Sequence, residues 1–356
     1  MDSKTNFKVL GIMSGTSLDG VDLALCQFKL TQGKWKFSID HPKTISYPAT
    51  WFQKLSLAHT LSGASLIELD VEYGSWLGKI SKQFLTTLGA KVDFIASHGH
   101  TVFHQPKKGY TYQIGNGTAL SVAANLPVIY DFRSLDVFRG GEGAPLVPIG
   151  DQLLFSDYDI CLNLGGIANI SMQKNKERIA YDVCYFNMGL NYLAQQAGKK
   201  YDASGKLAAS GEVNKTLLQS FIKLNKALQK KRPSLSREMF ENDWLPLLKA
   251  KRISLADRLC TFTEAAAIAL RDVFTSSKGK VLCTGGGTLN AYFITRLLEH
   301  CGDDAALIIP EPEVIHFKEA LVFAFLGVLR YRGEVNCLKS VTHASHDSSS
   351  GVMVGF

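Results

Sequence analysis

The chain has 356 residues, 46% of them hydrophobic and 20% charged, with a formal net charge of +7. That length and apolar content suit two folded domains with a large core and exclude a disordered or low-complexity chain. The basic excess is thinly spread, and its densest run, KALQKKR at residues 226–232, has no interleaved aromatics, so it reads as a solvated helix end rather than a nucleic-acid surface.

The first residues, MDSKTNFKVLGIM, contain no signal-like apolar region. The longest apolar run, Ala320 to Leu329, is too short to span a bilayer. Seven cysteines (Cys26, Cys161, Cys184, Cys260, Cys283, Cys301 and Cys337) are widely spaced without a CxxC pair. Reduced thiols, several of them packed in strands, are expected, and with them a soluble cytoplasmic protein.

The stretch GIMSGTSLDGVDLALCQF reads as strand, polar turn, strand, with strands over Lys8–Met13 and Val21–Phe28. The small residues of the turn, Ser14 to Gly20, free backbone amides to cradle phosphate oxygens. Asp19 and Asp22 place carboxylates in or beside that cradle. One of them suits the hydrated Mg²⁺ that accompanies ATP. The alternative is a carboxylate that only caps the turn, and Asp22, inside the second strand, suits a structural role.

A helix is expected over Ser65–Leu88 and a strand over Phe94–His98. SHGHTVFHQP then brings His98, His100 and His104 close in sequence, with His98 and His100 on one strand face. Closely spaced histidines invite a metal, but no carboxylate or cysteine lies near, and a core or sugar-binding role competes. A strand over Val128–Tyr130 leads into DFRSLDVFRGGEGAPLVP, residues 131–148. This Gly- and Pro-rich stretch is taken as the boundary between domains 1–134 and 135–356, with the C-terminal segment able to pack back on the first.

In YDICLNLGGIANISMQ, residues 158–173, strands over Ile160–Leu164 and Ile170–Gln173 flank Gly165-Gly166, the same layout as the first hairpin. The echo suggests a duplicated architecture around a cleft, although hairpins also recur by chance. IAYDVCYFNMGLNYLA places Asp182 at a strand end before a helix over Met188–Ala197, a position that suits a catalytic carboxylate or a helix cap. Helices over Asn214–Gln229 and Leu255–Phe274 follow. The second has two competing capping boxes, Ser254 to Asp257 and Thr261 to Glu264.

A strand over Val281–Thr284 runs into Gly285-Gly286-Gly287, which opens another helix. No GxxxxGK[ST] is present, which excludes a P-loop, and no complete GxGxxG follows a strand, which argues against a dinucleotide fold. Three Gly-rich turns suit a split nucleotide site instead, two at the phosphates and the third lying flat under the base. The last helix is expected over Phe317–Tyr331, and the polar His343–Gly351 is expected to be a loose tail.

Together GIMSGTSLDGVD, SHGHTVFH, YQIGN, DFRSLDVFRGGEGAPLVP, NLGGIANIS, YDASGKLAASG, TGGGTLN, EALVFAFLG and SVT resemble the anhydro-N-acetylmuramic acid kinases, of the actin-like ATPase and sugar kinase superfamily. The resemblance runs nearly the whole chain. It implies an α/β fold of duplicated actin-like (RNase H-like) domains, ATP and Mg²⁺ as cofactors, a homodimer, and a sugar partner rather than nucleic acid or membrane. The implied reaction opens 1,6-anhydro-N-acetylmuramic acid with water while O6 takes the γ-phosphate of ATP. The product is N-acetylmuramic acid 6-phosphate, in peptidoglycan recycling.

Carried onto this chain, Gly15, Thr16, Ser17, Leu18, Asp19, Gly20, Val21 and Asp22 line the ATP phosphates. Gly165, Gly166, Asn169, Gly285, Gly286 and Gly287 complete the nucleotide site, and Asp19 reaches Mg²⁺ through water. Thr101, Arg133 and Glu319 surround the sugar, with Arg133 as the donor to its lactyl carboxylate, and Asp182 is the general base. The chain departs from the family's DTGPGN-like turn: Val183, Cys184, Tyr185 and Phe186 separate Asp182 from Asn187. His100 also stands where the family often has Gln. The altered turn raises the alternative of a same-fold kinase for another sugar. An ATP-binding regulator without catalysis is the other, disfavoured by the retained Asp182, Arg133 and Glu319.

Overall fold

The computed structural model of the protein describes residues 4–15, 18–275 and 279–356. Strands β1 (Asn6–Ser14), β2 (Val21–Thr31) and β3 (Lys34–Ile45) precede helix α1 (Gly63–Leu88). Next come β4 (Phe94–Ser97), β5 (His100–Gln105), β6 (Tyr110–Ile114), helix α2 (Gly117–Ala124) and β7 (Val128–Tyr130). The middle of the chain forms β8 (Ile160–Leu164), β9 (Ile167–Lys174), β10 (Glu177–Tyr185), α3 (Asn187–Gln195), α4 (Lys215–Lys231), α5 (Leu255–Phe274), β11 (Gly279–Thr284), α6 (Ala291–Cys301) and β12 (Ala305–Ile308). Helix α7 (Pro312–Tyr331) and β13 (Val352–Val354) follow.

These elements group into two units, residues 1–154 with 317–356, and residues 155–316. The first contains a sheet of order β13-β7-β4-β1-β2-β3, the second a sheet of order β10-β9-β8-β11-β12. In the first, β1, β2 and β3 form an antiparallel meander, and β4 and β7 add in parallel on the other side of β1. In the second, β8, β9 and β10 form the meander, and β11 and β12 add in parallel beside β8. One path through the sheet is therefore traced twice. The hairpin echo is a true duplication, and the architecture is the duplicated actin-like fold that the motifs imply.

Alternation of side chains gives the first sheet two buried faces. Leu10, Ile12, Leu23, Leu25 and Ile95 cluster with Tyr73 and Leu77 of α1 and Leu120 of α2. The opposite face meets α7 closely: a Cβ on Gly11 would lie 2.2 Å from the Ala320 carbonyl oxygen, and Phe28 and Trp35 contact the Phe325 ring at 5.3 and 5.2 Å. The second sheet is packed by α3, α4 and α5 around Leu162, Ile170, Leu193, Phe221, Phe262 and Leu270.

Caps explain where the helices start and stop. Ser62 accepts from the Ser65 amide to start α1, and Gly89, left-handed at φ 60°, ends it. Ser254 accepts from the Asp257 amide at 3.0 Å, whereas Thr261 lies inside α5 and donates to the Asp257 carbonyl, so the first of the two capping boxes is the real start.

Two strands not anticipated from the sequence, β3 and β10, complete the two meanders, and two expectations are corrected. His98 and His100 do not share a strand face, because Gly99, at φ 73°, turns the chain between β4 and β5. His343–Gly351 is not a loose tail: Cys337 and Ser348 form a bridge, the Asn336 side chain donates to Ser350 and Leu326 carbonyls, and β13 pairs with β7 beyond it. All seven cysteines are buried, and none forms a disulfide among the described residues. Among the described residues no helix is long and apolar enough to cross a membrane.

Candidate active site

In the first unit, the turn between β1 and β2 is described at Gly15 and from Leu18 onward; Thr16 and Ser17 lie outside the described residues. Leu18 takes a left-handed φ of 59°, and its amide reaches the Gly15 carbonyl at 3.4 Å. Asp19 is exposed, and Val21 is buried as β2 begins. A Cβ on Gly20 would stand 2.5 Å from the Ile45 carbonyl oxygen, so glycine there lets β3 close on the turn. Asp22 accepts from Thr44 at 2.6 Å, which ties one carboxylate oxygen to β3.

The three residues expected around the sugar lie in this same unit. Arg133 precedes the short helix Ser134–Phe138. Its Nε donates to His98 Nε2 at 3.0 Å and its Nη1 to the Gly143 carbonyl at 2.6 Å. Burial lowers its pKa to about 10, with Glu319 opposing. Burial raises the Glu319 carboxyl above the ordinary range, Arg133 and Lys318 opposing and Asp22 adding to the rise. Solvent still reaches the Glu319 side chain, so the desolvation is that of a recess rather than of a closed core. Thr101 lies on β5 at a bulge, and Gln113 Nε2 is 3.4 Å from its hydroxyl. Arg133, Glu319 and Asp22 thus share one electrostatic neighbourhood.

The second unit holds the other set. Register across its sheet aligns Thr284 of β11, Asn163 of β8, Asn169 of β9 and Asp182 of β10 in one row. Thr284 and Asn163 stand at the C-terminal ends of parallel strands, where α/β sheets present ligand sites. Asp182 is not at the end of its strand, which runs on to Tyr185 through a bulge after Asp182. Nor does it cap α3, whose N-cap position is Phe186 without a side-chain bond. Its Oδ2 instead accepts from the Leu235 amide at 2.9 Å. Burial raises the Asp182 pKa, and that N–H opposes the rise.

The Gly-rich turns of this unit divide into closed and open positions. A Cβ on Gly285 would lie 2.6 Å from Asn163 Oδ1, and one on Gly287 would lie 2.3 Å from the Phe186 ring. Gly166 and Gly286 have open space where a Cβ would go, so close approach of a ligand is possible there. Gly165 meets only ordinary contacts, and its carbonyl and that of Gly166 accept the amides of Asn187, Phe186 and Met188.

The altered turn after Asp182 finds its account here. Val183, Cys184, Tyr185 and Phe186 are all buried. Tyr185 packs on Phe240 and Trp244 at 5.1 and 4.8 Å and donates its hydroxyl to the Ser236 carbonyl at 2.7 Å. Phe186 meets Phe293 edge-on at 4.5 Å. The bulky residues are core: burial raises the pKa values of Cys184 and Tyr185, and Asp182 is near enough to both to add to the rise.

Several groups of the site were not singled out by sequence reasoning. Ser14 Oγ links His100 Nδ1 at 3.0 Å to Tyr47 at 2.7 Å, and Tyr47 continues to Tyr73 at 2.6 Å. Gln113 Nε2 also reaches Thr111, while its Oε1 is a buried acceptor without a partner among the described residues. Lys318, beside Glu319, forms a buried ion pair with Asp151 at 2.7 Å. Ser14, His100 and Gln113 lie in stretches that the sequence motifs mark, and Lys318 leaves a lone Lys-Glu pair ahead of the apolar run of α7; Tyr47 and Tyr73 leave no signal. The histidines are engaged one by one rather than together: His104 Nδ1 pairs with Thr111 at 3.1 Å, and the described residues contain no group of three or more His, Cys, Asp or Glu able to hold a metal.

A sequence model of the anhydro-N-acetylmuramic acid kinase family matches residues 7–355. An anhydro-N-acetylmuramic acid kinase of Idiomarina loihiensis is 33% identical over 370 residues, covering 98% of each chain. One of Shewanella woodyi is 32% identical over 362 residues, covering 96% of this chain and 97% of its own. Among solved structures, the activator of the 2-hydroxyisocaproyl-CoA dehydratase from Clostridium difficile, with bound ADPNP, covers 91% of this chain and 97% of its own at 11% identity and a TM-score of 0.44.

Proposed function

Because the chain belongs to the anhydro-N-acetylmuramic acid kinase family, we propose a division of labour among its residues for a coupled ring opening and phosphoryl transfer. The enzyme is a kinase that takes ATP and 1,6-anhydro-N-acetylmuramic acid, a sugar released in cell-wall turnover. Water adds to C1, the C1–O6 bond breaks, and O6 takes the γ-phosphoryl group. ADP and N-acetylmuramic acid 6-phosphate leave.

Asp182 is the base. The observation that carries this role is its half-exposed carboxylate in a polar row, with Oδ2 tied to the Leu235 amide and Oδ1 without a partner among the described residues. Water is a poor nucleophile at an acetal carbon, so a carboxylate must take its proton as the bond forms. A raised pKa keeps that carboxylate basic enough to do so. As C1–O6 breaks, charge builds on O6, and in-line attack on phosphorus then asks mainly for positioning and charge stabilisation.

The turn from Gly15 to Asp22 receives the phosphates, and Gly165, Gly166, Asn169 and Gly285–Gly287 complete the nucleotide site. Gly166 and Gly286 are the open approaches. Arg133 binds the lactyl carboxylate, with Thr101 and Glu319 around the ring. Nε and one hydrogen of Nη1 are already engaged, so Nη2 and the remaining Nη1 hydrogen face the ligand.

The carboxylates of the first turn fit Mg²⁺. Asp19 is exposed and Asp22 is half-buried, a sparse oxygen set that suits an ion keeping its waters and its phosphate ligands. Asp19 would hold it through water, and the ion when bound offsets phosphate charge. A cytoplasmic location fits seven cysteines held as thiols rather than disulfides. A homodimer is the family's expectation, which light scattering tests.

The deciding experiment is incubation with ATP, Mg²⁺ and the anhydro sugar, with the product identified by mass spectrometry. A product that gains one water and one phosphate is expected. A phosphorylated sugar with the anhydro bond intact, or no product, would overturn the proposal.

A further inference from the structure

We propose that His98 and Asp136 are positioning residues for Arg133, His98 directly and Asp136 through the Gly143 peptide, and that together they set the enzyme's preference for a sugar bearing a carboxylate. The inference rests on the reading of Arg133 as the donor to that carboxylate.

Arg133 is held from two sides. His98 Nδ1 faces the Gly99 carbonyl at 2.9 Å, which puts the ring proton on Nδ1 and leaves Nε2 as the acceptor for Arg133 Nε. Burial, with the neighbouring Arg133 adding, holds the ring well below the usual histidine range, so it stays neutral. Phe323 packs edge-on against the His98 ring at 4.6 Å and lies 5.9 Å from the guanidinium carbon, which restricts both groups.

The other side is a relay. Gly143 accepts from Arg133 Nη1 through its carbonyl and donates its amide to Asp136 Oδ2 at 2.7 Å. The peptide takes a φ of 65°, where a side chain would be strained. Asp136 is 1% exposed, and its Oδ1 accepts from Thr342 at 2.7 Å and Cys337 at 3.0 Å. Gly141 runs so close that a Cβ there would lie 2.2 Å from Asp136 Oδ2. A buried carboxylate whose hydrogen bonds come from an amide, a hydroxyl and a thiol is costly to keep. Here it fixes the one carbonyl that orients Nη1.

Both direct partners of the guanidinium are neutral acceptors. They aim Arg133 without cancelling its charge, as a hydrogen-bonded carboxylate would. Glu319 influences it through space and makes no hydrogen bond to it among those described. The guanidinium is therefore fixed in direction without a hydrogen-bonded carboxylate to neutralise it. That combination favours an anionic group on the ligand over a neutral one.

The test compares kcat/KM for 1,6-anhydro-N-acetylmuramic acid with that for the same anhydro sugar lacking the lactyl ether, in wild type, His98→Leu, His98→Gln and Asp136→Asn. Loss of a hydrogen bond to a charged group predicts a fall in preference of about ten- to a hundredfold in His98→Leu and Asp136→Asn. The fall should come from KM for the acid sugar, with much smaller changes for ATP and the neutral sugar. His98→Gln, whose Oε1 can accept from Nε, should recover most of it, which a merely structural role would not produce. A wild type that discriminates, with an unchanged ratio in His98→Leu, would overturn the positioning while leaving the role of Arg133 intact. A wild type that treats both sugars alike would overturn the Arg133 reading and this inference with it. Should Asp136→Asn fail to fold, the two His98 variants decide.

Discussion

Arg133 in the first unit and Asp182 in the second are secured in opposite ways. Arg133 is gripped through Nε and Nη1, with a ring packed beside it and a buried carboxylate behind its carbonyl partner. Asp182 has one backbone amide on one oxygen and solvent at its edge. A group that must recognise a ligand gains from losing its freedom beforehand, because the ordering is not repeated at each binding event. A group that must take up and release a proton gains from keeping an oxygen open.

The largest expected effect tests the loosely held member. Asp182→Asn should lower kcat by about 10²–10⁴-fold, the usual contribution of a general base. Its melting temperature should stay near that of wild type, since the Asn Oδ1 can still accept from the Leu235 amide. Near-normal turnover would remove Asp182 from the chemistry.

The tightly held member should fail differently. Lysine cannot reproduce the planar fork, so Arg133→Lys should raise KM for the sugar by about ten- to a hundredfold with kcat far less affected. A loss carried mainly by kcat would instead place Arg133 in the transition state, and the contrast between the two residues would collapse.

Acidity sharpens the contrast next. The folded-state pKa of Asp182 is raised, so the folded protein binds its proton more strongly than the unfolded chain does. Stability contributed at this position is therefore lost as pH rises from the ordinary aspartate value through the raised one. Over that window kcat should rise, because the base must be ionised. Other carboxylates titrate in the same window, Glu319 with the same sign and Glu264 and Asp257 with the opposite one, so the difference in melting temperature between wild type and Asp182→Asn isolates the residue. That difference should fall with rising pH while wild-type kcat rises. Parallel trends would contradict the assignment.

The smallest effect belongs to the exposed turn. Asp19→Asn should reduce turnover by about two- to fivefold at limiting Mg²⁺, the scale of a solvent-exposed charge interaction, and less at saturating Mg²⁺. Titration of activity against Mg²⁺ checks it, and an identical titration curve would leave Asp19 without the role.

What could be read from the chain follows the same local-against-distant division. The β1–β2 and β8–β9 hairpins are legible because short apolar runs flank Gly-rich turns, as expected of strands buried on both faces. The roles expected of Asp182, Arg133 and Glu319 came from the resemblance of their motifs to those of the kinase family. Their surroundings did not: Leu235 is far along the chain from Asp182, Gly143 is held by Asp136, which Thr342 holds in turn, and Ser14, Tyr47, Tyr73 and His100 meet only after folding. Composition misled at Ser348–Ser350, where small polar residues are buried beside the Asn336 amide. Periodicity misled at Gly99, where one left-handed residue reverses which way the next histidine points.

The first unit is discontinuous in sequence, and that has a consequence for how the protein is made. Synthesis runs from the N-terminus, and domains ordinarily fold in that order as they emerge. Here residues 1–154 emerge without α7, which covers one whole face of their sheet, and without β13, which pairs with the edge strand β7. Residues 155–316 are contiguous and carry all their own strands. The later-made unit is thus the first able to finish, while Phe28, Trp35 and Phe94 of the earlier one wait for Phe325 and Tyr331 to leave the ribosome. During that interval the nascent chain presents apolar rings that nothing yet covers.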